Sequence, residues 1–360
     1  MIYFSIFFIS VILLFIGITI KDKSVSLLIG FFWVYFLSVS LGFRIEELGT
    51  DTENYIRIYD SQVFREPFFE FFIKSLNYLN VKPEYFIFTL TFLVILSHYM
   101  FGALLSKESL LLALIFIVSS YTIYSFSLNI MRQGIAAGFF SLACLSLMKR
   151  KWVKYIILGA VAFGFHPTSI YPIIVSLLIF IFLRNEINFR FLMFGIAFYI
   201  LSIFIFKPEV LQTIVSTLPL PAEIQNMFHQ YSNFWNKDKS GIWLNFSSIV
   251  PFFIYTFIVF NKKISLNEKE TYIVNIYFIY YILVSPFLYL HLMYSRFAWY
   301  SFYFESFIIA ILVYKVMNKK PKYKPAIIFF VLVATFIYLL KTYYITGGII
   351  REVDYDQVIF

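Results

Sequence analysis

The sequence predicts an all-α, polytopic membrane protein, and three observations predict it. The chain is 61% hydrophobic and 22% aromatic, whereas a soluble domain is about 45–50% apolar. Only 14% of its 360 residues are charged, too few to cover a water-soluble fold of that length. The apolar residues also fall in runs near the roughly 20 residues that a helix needs to cross a bilayer, and the mean hydropathy is +0.81.

Taken in order, the runs lie near 2–20, 25–42, 85–105, 109–127, 131–148, 153–165, 168–183, 189–206, 243–260, 271–290, 297–314 and 326–345. That makes roughly twelve expected transmembrane helices. The first, MIYFSIFFISVILLFIGITI, has neither a basic leader nor a small-residue cleavage site, so it reads as a span and not as a signal peptide. The sixth and seventh are interrupted by AVAFGFHPTSIYP and read as two short helices or a broken pair. Two long polar intervals, 43–84 and 207–242, read as extracytoplasmic loops carrying amphipathic helices. With no internal repeat and no linker, 1–360 reads as a single integral-membrane domain. The lone cysteine, Cys144, excludes an internal disulfide. The net charge of +9 reads as basic cytoplasmic loops and not as a nucleic-acid footprint.

An N-terminus outside the cell puts Lys21, Lys23, Lys149, Arg150, Lys151, Lys154, Lys262, Lys263, Lys319 and Lys320 in short inward loops, as the positive-inside rule requires. The outer face then receives both long intervals and several arginines at helix ends. An arginine in apolar surroundings is costly without a partner, and several on one face point to an anionic ligand.

Four constellations carry the candidate chemistry. In LGFRIEELGTDTENYIRIYD, Arg44 ends the second run, Gly49 permits a tight turn, and Thr50 or Asp51 can cap a following helix. Tyr55 and Tyr59 then share a face at i, i+4 spacing. From Phe64 to Leu79, Arg65, Glu66, Glu70 and Lys74 alternate with apolar residues, the pattern of an interfacial helix. In NIMRQGIAAGFF, Arg132 and Gln133 precede a Gly134/Gly138 small-residue face that permits close helix contact. Arg132 presents a planar fork suited to phosphate, though a snorkelling interface arginine fits the same position. In FGFHPTS, His166 stands before a helix-breaking proline, where a neutral imidazole can take a proton from a hydroxyl. In HLMYSRFAW, Tyr294 and Arg296 supply an aromatic and a further guanidinium, and Glu305 beyond them needs a partner. His98, His229 and His291 read as structural histidines. Walker A, HExxH and CxxC patterns are missing, and Asp354-Tyr-Asp356 reads as part of an acidic tail. No metal and no cofactor is expected.

The order of these motifs, Arg44 with LGTD and Tyr55, then Glu66-Pro67-Phe68, then NIMRQGIA, then FHPTS, then Arg296, resembles the EpsG-like group of Wzy-type polysaccharide polymerases. The resemblance implies a bacterial inner-membrane protein related to GT-C-like lipid-phosphosugar transferases. Its substrate would be an undecaprenyl-pyrophosphate-linked oligosaccharide, joined into O-antigen, capsule or exopolysaccharide on the outer face. A chain-length regulator would be a further partner. On that chemistry Arg44, Arg132 and Arg296 stabilise the pyrophosphate leaving group. His166 is the first candidate base and Asp51 the second. Tyr55, Tyr124, Gln133 and Tyr294 contact sugar. An O-antigen ligase shares this chemistry with a different acceptor. A flippase fits less well, because it needs a charged cavity reaching both sides and the inward loops read only as positive-inside lysines, and a solute transporter fits less well because no Gly/Pro-broken helices recur in matching halves.

Overall fold

The structure, a computed structural model, describes residues 2–20, 22–44, 51–61, 66–183, 187–207, 246–261, 264–288 and 291–352, with isolated positions between 210 and 217. Most of the 207–242 interval, together with Gly49, Thr50, Arg65, His229, Asp354 and Asp356, lies outside the described residues. Among the described residues every regular element is a helix and there is no strand. The chain divides into two compact units, one of Met1–Ile173 with Ser306–Phe360 and the other of Ile174–Glu305.

The helices, in chain order, are α1 (Ile2–Ile20), α2 (Lys23–Gly42), α3 (Thr52–Ser61), α4 (Pro67–Tyr78), α5 (Pro83–Leu105), α6 (Leu110–Ser119), α7 (Tyr121–Leu128), α8 (Met131–Met148), α9 (Trp152–Phe165), α10 (Ile170–Phe182), α11 (Phe189–Ile205), α12 (Phe246–Phe260), α13 (Glu268–Val284), α14 (His291–Lys319) and α15 (Lys324–Glu352). Helix thus occupies each apolar run read from the sequence. The expected count of twelve spans does not follow from it. Five helical segments are long and apolar enough to cross a membrane: Lys23–Gly42, Pro83–Leu105, Met131–Met148, Tyr294–Lys319 and Pro321–Thr342. A sixth span arises if α6 and α7, bent by 72° at their junction, count as one. The correction has a simple cause. Several apolar runs form helices of only 10–17 residues, among them Trp152–Phe165, Phe189–Ile205 and Ile249–Phe260, so a run of apolar residues need not make a spanning helix. A 14-residue helix such as α9 rises about 21 Å, short of the roughly 30 Å hydrocarbon core.

In the first unit α8 is the centre, with most of its residues buried. It lies against α5, α7 and α9, and its two glycines explain how closely. A Cβ on Gly134 would meet the Phe126 Cβ at 2.7 Å, and one on Gly138 would collide with the Ser97 side chain. The small-residue face read from the sequence is therefore a packing surface. Helix α2 starts with Asp22, whose carboxylate accepts from the Ser24 amide at 2.6 Å. It is tied to α1 by the Trp33 indole donating to Ser10 Oγ, 2.9 Å, and to α5 by the Tyr99 hydroxyl donating to the Leu27 carbonyl, 2.8 Å.

In the second unit, α13 opens with a capping box: the Glu270 amide donates to Asn267 Oδ1 at 3.0 Å, and the Asn267 amide donates to Glu270 Oε2 at 2.8 Å. Tyr255 of α12 stacks on Phe278 at 4.0 Å and hydrogen-bonds Asn275. The Asn275 amide in turn donates to the Leu183 carbonyl at 2.7 Å. Glu305 has the partner that the sequence left open, since the Tyr277 hydroxyl donates to its carboxylate at 2.9 Å.

Candidate functional site

The first unit gathers a charged cluster at the start of α8. Arg132 stands in the first helical turn, directly after Met131. A cation there opposes the helix dipole, so the helix itself gives no reason for it. Its compensation comes from Glu66, whose Oε1 lies 2.6 Å from Arg132 Nη1, with the two side chains only 15% and 16% exposed. Glu66 occupies the cap position of α4 before Pro67, yet its side chain makes no cap hydrogen bond. The carboxylate is turned to the guanidinium instead of to its own helix.

Phe69 of α4 forms the floor. The Arg132 Cζ lies 5.5 Å from its ring centroid, within cation–π range. Tyr55 meets the same ring edge-on at 6.2 Å, Phe86 lies at 6.3 Å, and Phe165 at 6.3 Å. The Tyr55 hydroxyl accepts from the Arg132 backbone amide at 3.3 Å, satisfying one of the amides that a helix start leaves open. Burial pushes the Tyr55 hydroxyl above the ordinary tyrosine value, and the nearby Asp51 carboxylate adds to the shift. Tyr55 therefore keeps its proton. Asp51 precedes α3 directly, and its carbonyl accepts the Tyr55 amide at 2.9 Å. Tyr55 and Tyr59 share the buried face expected of them. The Tyr59 ring stacks on Phe86 at 4.5 Å, and its hydroxyl donates to the Val81 carbonyl at 2.6 Å.

His166 caps the far end of α9 in extended conformation, and its Nδ1 lies 2.7 Å from Thr168 Oγ1. Phe165, its neighbour, packs on Phe69, Phe72 and Phe139. Gly164 lets Phe68 of α4 come close enough that any Cβ would collide with that ring. The Phe69–Phe165 contact thus joins the Arg132–Glu66 pair to the helix end that carries His166. Gln133 is buried beside Arg132 in α8.

Arg44 is held by backbone carbonyls and a hydroxyl. Its Nη1 donates to the carbonyls of Leu41 at 2.8 Å and Ser127 at 3.0 Å, its Nη2 to that of Leu128 at 3.2 Å, and its Nε to Thr52 Oγ1 at 3.0 Å. The guanidinium is a clamp on the carbonyl end of α7, where a helix leaves acceptors open, and it fixes the approach to α8. The rings of Tyr55 and Tyr124 are buried, and the Tyr124 hydroxyl donates to the Val118 carbonyl at 2.8 Å. Both rings pack inside the first unit in this arrangement. Tyr294 and Arg296 stand in the second unit, where the Tyr294 hydroxyl donates to the Tyr281 hydroxyl at 3.0 Å. Among the described residues no group of three His, Cys, Asp or Glu side chains has metal-binding geometry.

From the sequence, Glu66 reads as one charge of an amphipathic helix and as part of the Glu66-Pro67-Phe68 motif, but not as the partner of Arg132. One signal was present: glutamate is a poor cap residue, and here it stands where Ser, Thr, Asp or Asn is preferred.

A family model for the EpsG family matches residues 27–355. The chain belongs to the EpsG family. The match spans Arg44, Glu66, Arg132, His166 and Arg296, so every motif in the resemblance falls inside it. Membership places this EpsG-family protein among membrane proteins of polysaccharide biosynthesis related to Wzy-like polymerases. No curated protein and no solved structure gives a significant match to it.

Proposed function

We propose that this EpsG-family protein is a glycosyltransferase that polymerises undecaprenyl-pyrophosphate-linked oligosaccharide repeat units at the outer face of the bacterial cytoplasmic membrane. The observation that carries the reading is the largely buried Arg132–Glu66 pair at the end of an apolar helix long enough to span the bilayer. In the proposed reaction an acceptor sugar hydroxyl attacks the anomeric carbon of the donor. The new glycosidic C–O bond forms as the bond to the lipid pyrophosphate breaks, and the pyrophosphate leaves with the electron pair. Arg132, preorganised over Phe69, holds the departing negative charge. The hydroxyl proton goes to a base, with His166 first and Asp51 second. The tautomer in which Nδ1–H donates to Thr168 leaves the lone pair of Nε2 for that proton.

Helix α8 carries the orientation by itself. Lys149, Arg150, Lys151 and Lys154 cluster just beyond its end, and Arg132 and Glu66 stand at its start. The positive-inside rule assigns the basic end to the cytoplasm, which supports an outward site whatever the total number of spans. Kinship with GT-C-like transferases, Arg296 as a second pyrophosphate ligand, Gln133 and Tyr294 as sugar contacts, and a chain-length regulator as protein partner belong to the same proposal. The test is the surface glycan of a deletion strain resolved on a gel. Single repeat units without a ladder support polymerisation, and complete loss of repeat units points to a ligase or flippase instead.

A further inference from the structure

At the end of α8 remote from Arg132, the segment Lys149-Arg150-Lys151-Trp152-Val153-Lys154 turns the chain into α9. Arg150, Lys151, Trp152, Val153, Lys154 and Ile157 line an open groove there. We propose that this groove binds the headgroup of an anionic phospholipid, from the leaflet opposite the Arg132–Glu66 site.

Charge is the first argument. The chain carries no Asp or Glu between Glu108 and Glu186. The ion pairs among the described residues are Lys23–Glu108, Arg57–Glu53, Lys74–Glu70 and Arg132–Glu66, so none engages Arg150, Lys151 or Lys154. The groove concentrates cations that no ion pair among the described residues neutralises, at the depth where a spanning helix meets the headgroups.

The backbone gives the second. Arg150 has φ +54°, a left-handed conformation in which a side chain crowds the following carbonyl. The Arg150 amide donates to the Leu147 carbonyl at 2.8 Å and the Lys151 amide to the Ser146 carbonyl at 2.9 Å. Those paired bonds close a helix at a position that glycine normally fills. The end of α4 repeats the geometry with Asn80, φ +54°, a residue that tolerates it. An arginine held in a strained conformation at a helix end points to a use for its side chain.

The apolar wall is the third argument, and it selects a lipid over a soluble phosphate. Val153, Ile156 and Ile157 are 72%, 65% and 57% exposed, and Trp152 sits where interfacial tryptophans gather. A phosphate among the cations with acyl chains along the aliphatic face uses both halves of the surface. A free anion would use only one. Basic pockets on the cytoplasmic side of membrane proteins have this lipid chemistry.

The test uses the purified full-length chain in detergent with equimolar dioleoyl phosphatidylglycerol and dioleoyl phosphatidylcholine, with bound lipid read by native mass spectrometry. The wild type retains phosphatidylglycerol preferentially. Arg150→Gly relieves the backbone and so raises the thermal midpoint, while lowering the preference about fivefold. Lys151→Gln with Lys154→Gln lowers it about 25-fold. Lys319→Gln with Lys320→Gln, exposed lysines elsewhere, leaves it unchanged. The proposal fails if the groove variants keep the wild-type preference. It fails equally if the Lys319/Lys320 pair lowers it as much, or if Arg150→Gly lowers the midpoint.

Discussion

Replacing Glu66 by leucine leaves the Arg132 guanidinium in place with its carboxylate gone. Exposed ion pairs contribute about 0–1 kcal/mol, whereas removing one partner of a buried pair costs about 3–5 kcal/mol. Side chains that keep roughly a sixth of their exposure lie near the buried limit, so Glu66→Leu should cost about 2–4 kcal/mol. Arg132→Leu should cost a similar amount for the converse reason. The double variant removes both charges and should recover most of the loss, because two apolar side chains need no compensation. Stability is read by thermal unfolding in detergent and activity by ladder formation from purified lipid-linked repeat units. All three variants should be inactive, including the stable double variant, and Arg132→Lys should fail as well, since it keeps the charge but loses the fork. A double variant that polymerises normally would reduce the pair to a structural strut. A Glu66→Leu protein as stable as wild type would show that the pair is not formed in the membrane.

Arg44→Ala should lose fold and activity together, by about 3 kcal/mol or more from four carbonyl and hydroxyl contacts of a charged donor; activity lost at full stability would refute the clamp. His166→Ala and His166→Gln should both lower polymerisation by about 10²–10⁴-fold, while Thr168→Val, which removes the acceptor for Nδ1–H, should give a smaller loss with a displaced pH profile; a working His166→Gln excludes the base role. Tyr55→Phe should cost about 1 kcal/mol near neutrality by removing the acceptor for the Arg132 amide. The folded value of Tyr55 is raised, so its contribution is complete below about pH 10 and declines above it. The gap to the phenylalanine variant should therefore narrow in alkali, as thermal melts across that range would show. In a chain with Cys144 replaced, Ser61→Cys should label with an impermeant maleimide in whole cells and Lys149→Cys only after permeabilisation; the reverse pattern would invert the proposed orientation.

Local pattern carried much of this fold. The composition determines the helical membrane class, i, i+4 spacing buries Tyr55 and Tyr59 together, and Gly134 and Gly138 mark a close-packed face. The pattern said less where pairing runs across the chain. Arg44 reaches carbonyls 83 and 84 residues away, and Glu66 reaches a guanidinium 66 residues away. No periodicity encodes such distances, so the sequence shows neither the helix-end carbonyls around Arg44 nor the pairing of Glu66 with Arg132. Span counting went astray for a different reason: composition marks an apolar run but not the length of the helix within it, and runs such as 153–165 and 189–206 form helices shorter than a bilayer requires.

The bend between α6 and α7 has a consequence for how the protein is made. The Ser119 carbonyl at that bend accepts the Thr342 hydroxyl of α15 at 2.9 Å, across 223 residues. Helix α15 also packs on α1, α6 and α7. At about 5–20 residues per second, the interval between the two partners takes roughly 10–45 s to translate. Through that time the opened carbonyl must find a stand-in, from water, lipid or an insertion factor. The whole second unit emerges inside the same interval. The half of the molecule that bears Arg132 is thus begun first and completed last, and a chain stopped before Thr342 should present Ser119–Ser120 to a membrane-embedded protease that spares the finished protein.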